Sequence, residues 1–489
     1  MLVEDSSTAG IQPLDAHTKS VRSILEELDN SKITGIHWKA MITSGMGFFT
    51  DAYDLFIIGA ALSLLIPLWK LNALEISLIG STSLLAAALG SFLFGRLADR
   101  VGRHTIYVST LIVLAVGAVL SSLSPNIYWL LAFRFIMGLG IGGDYPLCAT
   151  LMSEYANRKD RGKLITMVFS MQGLGLILGP LVAITLMLSG INHDLTWRIM
   201  LALGAVPALA TFYLRRQIKE TPRFALMMQQ NNLAAGHENG NGVIKRLPDG
   251  AASNHKVQAL RQPRKSWFHL LFTRRYLGWI IGTAGAWFLL DIAYYGTTIS
   301  SPLVLKSLNS HADAVTNMLY TLLIFVIAAL PGYIVAALTI DKLGRKAIQC
   351  MGFAMMAIAY GLLALVPSFT KITLPFLTIY ALSYFFTEFG PNVTTFVYPA
   401  EIFPVMVRSS AHGVSAALGK IGAFIGAFVF PYLLSNFHLP GAMAFAAVVS
   451  LIGLVLTLVT LPEPNQRSLE DISDEHRVFS AHREERVTA

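Results

Sequence analysis

The stretch "FFTDAYDLF" (48–56) sets Asp51 and Asp54 three residues apart inside a run of apolar side chains. Other charges are embedded the same way. Arg134 and Asp144 share one apolar run, Asp291 lies in "WFLLDIAYYG", Glu388 in "FFTEFGPN" and Lys420 in "AALGKIGAF". On insertion scales an ionised group at mid-bilayer costs about 2.5–3.5 kcal/mol, so groups kept there pair with one another or work on ions. Five carboxylates face two cations, and full ionisation would leave excess buried negative charge. At least one carboxyl is therefore expected to hold a proton and to exchange it. That is the chemistry of a proton carrier.

Trp287, Asp291 and Tyr295 follow one another at i, i+4 and i+8, so they share one helix face. An aromatic stripe alone is ordinary packing. Centred on a carboxylate that must be hidden from lipid, it is expected to line a cavity. Gln172 in "FSMQGLG" and Asn392 beside Pro391 add neutral hydrogen-bonding groups.

"GLGIGGDYP" (138–146) spells G-x-G-x-x-G, the pattern of a nucleotide-phosphate cradle. A dinucleotide fingerprint needs a preceding strand and a βαβ unit. Here apolar helix precedes and follows it, so the glycines instead thin one helix and let a neighbour's backbone approach. Pro146 removes a backbone donor, and a kink or opening of the helix is expected near the buried carboxylate of Asp144.

These residues are positioned by twelve apolar blocks. The chain has 489 residues, 54% hydrophobic and 13% charged, where a soluble chain carries about 25% charged residues. Spans are expected at 40–66, 76–98, 104–123, 127–151, 163–189 and 197–214, then at 276–300, 314–338, 346–366, 373–398, 409–435 and 440–461. No cleaved signal peptide is expected, because the first 37 residues are polar and mixed in charge. Cys148 and Cys350 both sit in apolar blocks and read as small buried packing residues; no metal site or cofactor is expected.

The net charge of +8 does not point to nucleic acid, because of where it falls. Residues 215–275 hold twelve Lys or Arg against three acids, and the 96–103, 158–163 and 341–346 loops are basic as well. The alternate loops have almost none. This is the positive-inside pattern, which puts both termini and the central loop in the cytoplasm. The expected organisation is a cytoplasmic segment (1–39), a six-helix bundle (40–214), a cytoplasmic loop (215–275), a second six-helix bundle (276–461) and a cytoplasmic tail (462–489). The run "HENGNGVIKRLPDGAASNH" (237–255) within the loop is expected to be mobile.

The two sets of six spans repeat one another. "GRLADRVGRH" (95–104) matches "ALTIDKLGRK" (337–346), aligning Asp99 with Asp341 and Arg103 with Arg345. Glu154 precedes Arg161 by seven residues, as Glu401 precedes Arg408. Matched spacings in the two halves suggest duplication. Asp near a helix end and Arg beyond it could pair across the cytoplasmic face and latch one conformation.

These motifs resemble the major facilitator superfamily over nearly the whole chain. The resemblance implies an all-α membrane fold of two pseudo-symmetric six-helix bundles that rock around a central cavity. "KETPRF" (219–224) and "PEPNQRSLEDI" (462–472) look like its sugar-porter-type branches. "GGDYPLCATLMSE" (142–154), "FFTDAYDLF", "WFLLDIAYYG" and "FGPNVTTFVYPAEIFP" (389–404) together are similar to the phosphate:proton symporter family. That likeness implies phosphate and protons as the transported species. Tyr145, Gln172, Trp287, Asp291, Tyr295, Asn392 and Lys420 would surround phosphate; Asp51, Asp54, Arg134 and Asp144 would form a proton route toward the cytoplasm. Cys148 stands where the family has Ser, Ala337 where the first copy of the loop has Gly95, and Glu388 adds a charge where a neutral residue is expected. Glu388 is the departure that could alter substrate choice.

Three alternatives remain open: a sugar/proton symporter, an organic-anion porter, and a non-transporting nutrient sensor on the same fold. The seventh span carries Trp, Asp and Tyr where sugar porters have paired Gln. No nucleophile–base set or metal cluster points to an enzyme. The chain is expected to work as a monomer in a plasma or bacterial inner membrane.

Overall fold

The computed structural model describes residues 23–234, 267–301, 304–305, 314–366, 368–369 and 372–474. The 237–255 run expected to be mobile lies outside them. Twelve spanning helices are present among the described residues. The first six are α1 (Gly35–Trp69), α2 (Ala73–Val101), α3 (Arg103–Ser122), α4 (Ile127–Tyr155), α5 (Arg161–Leu188) and α6 (His193–Gln217), the last interrupted at Gly204. The second six begin with α7 (Arg274–Ile299). In α8, Ala314–Ile324 and Leu330–Leu343 are joined by a π turn; α9 is Arg345–Leu365. In α10, Thr373–Thr387 and Val393–Ile402 are joined by a second π turn at Glu388–Asn392. A continuous run, Arg408–Thr460, is split by His438, whose φ of 56° breaks it into α11 (408–437) and α12 (439–460).

Large apolar side chains stay exposed around the outside, Leu85, Val116, Ile281, Leu338 and Val455 among them. Such a continuous apolar exterior suits lipid, not water. The polar side chains are turned inward.

The glycines of α4 do what close packing requires. A β-carbon on Gly142 would lie 2.0 Å from the Ala87 carbonyl oxygen of α2, and one on Gly140 would lie 2.5 Å from the Leu114 nitrogen of α3. So α4 is wedged against both neighbours at backbone contact. Pro146 does not open the helix, which runs unbroken to Tyr155. The carbonyl that Pro146 cannot bond, that of Gly142, accepts the Ser91 hydroxyl of α2 at 2.8 Å. A borrowed donor replaces the missing one, and the helix does not open. Gly142→Ala is expected to lower the apparent melting temperature of the detergent-solubilised protein clearly, while Gly59→Ala, with open space around its α-carbon, leaves it within error.

At one end of the bundle the loops form a shared face. A short helix at 23–30, the chain after α6 and the chain after α12 meet there. Arg223 donates to both Asp29 and Glu470, joining the two described chain ends. Burial would raise the Glu470 carboxyl, but Arg223 beside it holds it below its ordinary range. We call this the loop face.

Candidate functional site

The repeated loops build two matching networks on the loop face. Arg103 bonds Asp99 (2.9 Å) and Glu154 (3.1 Å), and Glu154 also takes Arg408 of the second bundle (3.2 Å). In the other copy Arg345 bonds Asp341 (2.8 Å) and Glu401 (2.8 Å), and Glu401 also takes Arg161 of the first bundle (3.1 Å). The match extends to the backbone. Asp99 accepts the Ser410 N–H at 2.6 Å, and Asp341 accepts the Lys163 N–H at 2.7 Å. All eight residues named from sequence are thus brought together, and each network crosses between the bundles.

The glycines at the turns carry strain only they tolerate. Gly102 has φ of 120° and Gly344 has φ of 89°. Glu220 and Glu463 fill the space beside them and accept backbone N–H groups at the starts of α3 and α9. These are the glutamates of "KETPRF" and "PEPNQRSLEDI". Burial raises the Glu220 carboxyl above its ordinary range even with Arg103 near.

Toward mid-bilayer from this face comes an aromatic layer. Phe169 of α5 stacks on Phe396 of α10 with centroids 4.6 Å apart, and Phe48 of α1 meets Phe396 at 5.0 Å. Each lies three or four residues from a site candidate: Phe48 from Asp51, Phe169 from Gln172, Phe396 from Asn392. On the far side Phe56 of α1 meets Phe325 of α8 across the bundles at 6.3 Å.

Between these contacts sits the polar centre. Lys420 of α11 donates to Tyr145 of α4 at 2.7 Å and to Tyr295 of α7 at 2.5 Å. Tyr145 in turn donates to Asp51 at 2.6 Å. One cation therefore ties the bundles together through two phenols. Trp287 packs against Tyr145 and His412, and Asp291, one turn along α7, is 1% exposed. A second string also crosses the interface. Tyr333 of α8 donates to Gln172 at 2.9 Å and accepts from Asn392 at 2.8 Å, and Asn392 donates its other N–H to Glu388. The seven residues named for substrate are all buried where the bundles meet.

The four residues named for a proton route do not form one string. Arg134 donates to Asp54 through both terminal guanidinium nitrogens, each at 3.2 Å. It also bonds the Ile79 carbonyl and Ser83. This pair lies in the part of α4 nearest Asn126, away from the loop face, because Arg134 is only seven residues into the helix. Asp51 faces Tyr145 instead. Asp144 lies on the loop side of the centre and is held by Arg215 at 2.6 and 2.8 Å and by Thr110 at 2.6 Å.

Arg215 corrects the sequence reading in two ways. Its place at the start of the basic loop predicts exposure, but α6 carries it inward, where it is fully buried. It also supplies a third cation, so the deep charges are five carboxylates against three. The surplus falls on Asp51, Asp291 and Glu388. No Lys or Arg nitrogen lies within ion-pair distance of these three among the described residues.

Sequence reasoning also missed Tyr333 and His412. Tyr333 is a single polar group in an apolar run and His412 sits among serines at the start of α11; no spacing marks either out. Cys148 is buried as expected; Cys350 is partly exposed.

A family profile described as "Sugar (and other) transporter" matches residues 39–476. The chain belongs to that family, within the major facilitator superfamily. Among curated relatives, it is 36% identical to the probable inorganic phosphate transporter 1-6 of Arabidopsis thaliana, covering 93% of this chain and 96% of that one. It is 36% identical to the inorganic phosphate transporter 1-11 of Oryza sativa subsp. japonica, covering 94% and 92%. Among solved structures, the proton:xylose symporter XylE bound to 6-bromo-6-deoxy-D-glucose superposes with a TM-score of 0.75 at 19% identity, covering 89% of this chain and 98% of that one. That likeness establishes the fold shared across the family: two bundles of six helices facing one another.

Proposed function

We propose that this member of the family imports inorganic phosphate as dihydrogen phosphate, coupled to protons, by alternating access. The observation that carries the reading is the bridge Tyr145–Lys420–Tyr295, spanning both bundles beside the buried carboxyl of Asp291. The relatives named above, phosphate transporters along most of their length, point to the same cargo.

A carboxylate in an anion site is a paradox only for a fully ionised anion. Dihydrogen phosphate carries two P–OH donors, and a carboxylate only accepts. Asp291 would take a P–OH, while Lys420, Tyr145, Tyr295, Trp287, Gln172 and Asn392 would serve the remaining oxygens. Sulfate, with no proton at neutral pH, would meet Asp291 with repulsion. Arginine forks, which grip phosphate bidentately, are engaged elsewhere: Arg134 with Asp54 and Arg215 with Asp144. That leaves one point charge, Lys420, and a grip weak enough for release.

In this reading the paired networks on the loop face latch the bundles when that side is shut. Phosphate and proton enter from the opposite side, the bundles rock, the networks part, and loss of the proton expels phosphate. The loop face is cytoplasmic, which puts both termini inside a plasma or bacterial inner membrane. Both halves of the site come from one chain, so a monomer suffices. Asp51, next to Tyr145, would belong to the proton path; the Asp54–Arg134 and Asp144–Arg215 pairs would flank it on either side.

Competition for labelled phosphate uptake in proteoliposomes tests the cargo. Arsenate, which shares the charge and P–OH-like donors, is expected to compete; sulfate, benzoate and xylose are not. Strong competition by xylose or benzoate would replace phosphate as the cargo.

A further inference from the structure

Glu388 is a buried carboxyl that takes no part in the phosphate site proposed above. It sits in the π turn of α10, where Gly390 adopts φ −100°, ψ −113° and Pro391 follows. Its side chain is fully enclosed. One oxygen accepts from Asn392 and the other, Oε1, has no partner. The titratable groups facing it are Tyr294, Tyr295 and Asp291 from α7 and Tyr333 from α8. From α9, Tyr360 also faces it, and Gly352 lies against Gly390 and Pro391. Lys420 is engaged by Tyr145 and Tyr295. Glu388 thus has a carboxyl neighbour in Asp291, one oxygen without a hydrogen-bond partner and, among the described residues, no cation within ion-pair distance, so its ionised form is held only by the Asn392 amide and the phenols around it.

We infer that Glu388 is a second proton-binding carboxyl of the transport site, so that one transport cycle moves a proton on Glu388 in addition to the one already coupled to phosphate. The inference rests on the phosphate-transport reading. The structure also supplies the means of release. Glu388, Asn392, Tyr333 and Gln172 form one string from α10 through α8 to α5. The Tyr333–Gln172 link is the one that crosses between the bundles. Rocking the bundles apart breaks it and admits water to the α10 end of the string. Hydration stabilises the carboxylate, and the proton leaves on the side where the site has opened. No covalent step is involved: Glu388 gains H⁺ on one side and loses the same H⁺ on the other.

The static level of phosphate accumulation measures the number of coupled protons without depending on turnover rate. With membrane potential clamped at zero, the inside-to-outside ratio of dihydrogen phosphate equals the proton ratio raised to that number. A pH difference of about one unit gives about tenfold accumulation for one proton and about a hundredfold for two. Wild-type proteoliposomes in sodium-free medium are expected to reach about a hundredfold or more, and Glu388→Gln about tenfold less than wild type. Gln is isosteric and its amide oxygen can still accept from Asn392. Wild-type accumulation stopping at about tenfold overturns the inference even if the variant does not fold. So does an unchanged ratio in a folded Glu388→Gln, or a requirement for sodium, which would make the ligand of Glu388 a metal cation. No phosphate accumulation at all by wild type would instead remove the phosphate reading and this inference with it.

Discussion

Asp291→Asn is expected to lower proton-driven phosphate uptake by about a hundredfold, read as kcat/KM for labelled phosphate in proteoliposomes. A hydrogen bond to a charged group is worth about 1.5–3 kcal/mol, or roughly a factor of 10–150. Asn occupies the same volume, so packing against Trp287 and the rest of α7 is kept. Its chemistry is wrong for the proposed cargo. One carboxylate oxygen that accepts becomes an NH2 that donates, and it would face a P–OH that also donates. The variant also loses the charge that exchanges a proton. Uptake should therefore become insensitive to the proton gradient as well as slow. Sulfate, no longer repelled, should begin to inhibit. Proton-dependent uptake left intact would remove Asp291 from the site.

Arg215→Leu is expected to destabilise the fold by about 3–5 kcal/mol, because it strands Asp144 as a buried charge without its partner. Arg215 is fully buried, and Asp144 is 2% exposed. The measurement is thermal unfolding of the purified protein in detergent. Combining Arg215→Leu with Asp144→Ala should cost much less than the sum of the two single changes, since the pair is removed together. Arg216→Leu, one residue along and exposed, is the control and should be near neutral. Equal effects at 215 and 216 would mean that the Arg215–Asp144 pair is not formed in the membrane.

The fold was readable from the sequence because bilayer thickness dictates it: blocks of apolar residues can only be spanning helices, and their ends fell near those observed. The duplicated loops were readable too, since Asp99, Arg103, Glu154 and their copies recur at fixed spacing. Trp287, Asp291 and Tyr295 were found because one helix face is a one-dimensional fact. What was not readable is pairing between helices distant in sequence. Asp144 and Arg215 are 71 residues apart, and position 215 looks like the start of a basic loop. It is the rotation of α6 that turns this arginine inward while Arg216 points out. The same holds for Asp51 and Asp54. Three residues apart on α1, they read alike, yet one faces Tyr145 at the interface and the other Arg134 inside its own bundle. Tyr333 gave no signal because its role exists only once α8 meets α5. Pro146 misled for a related reason: whether a proline opens a helix depends on whether a neighbour such as Ser91 can satisfy the freed carbonyl.

The central claim is that buried carboxyls at the bundle interface exchange protons with the bulk as phosphate crosses. The direct measurement is labelled phosphate in sealed proteoliposomes, with external pH set below internal pH and then equalised by a protonophore. The account predicts accumulation above the external concentration while the gradient stands, and efflux of the accumulated phosphate when it collapses. Phosphate that only equilibrates, with or without the gradient, would contradict it.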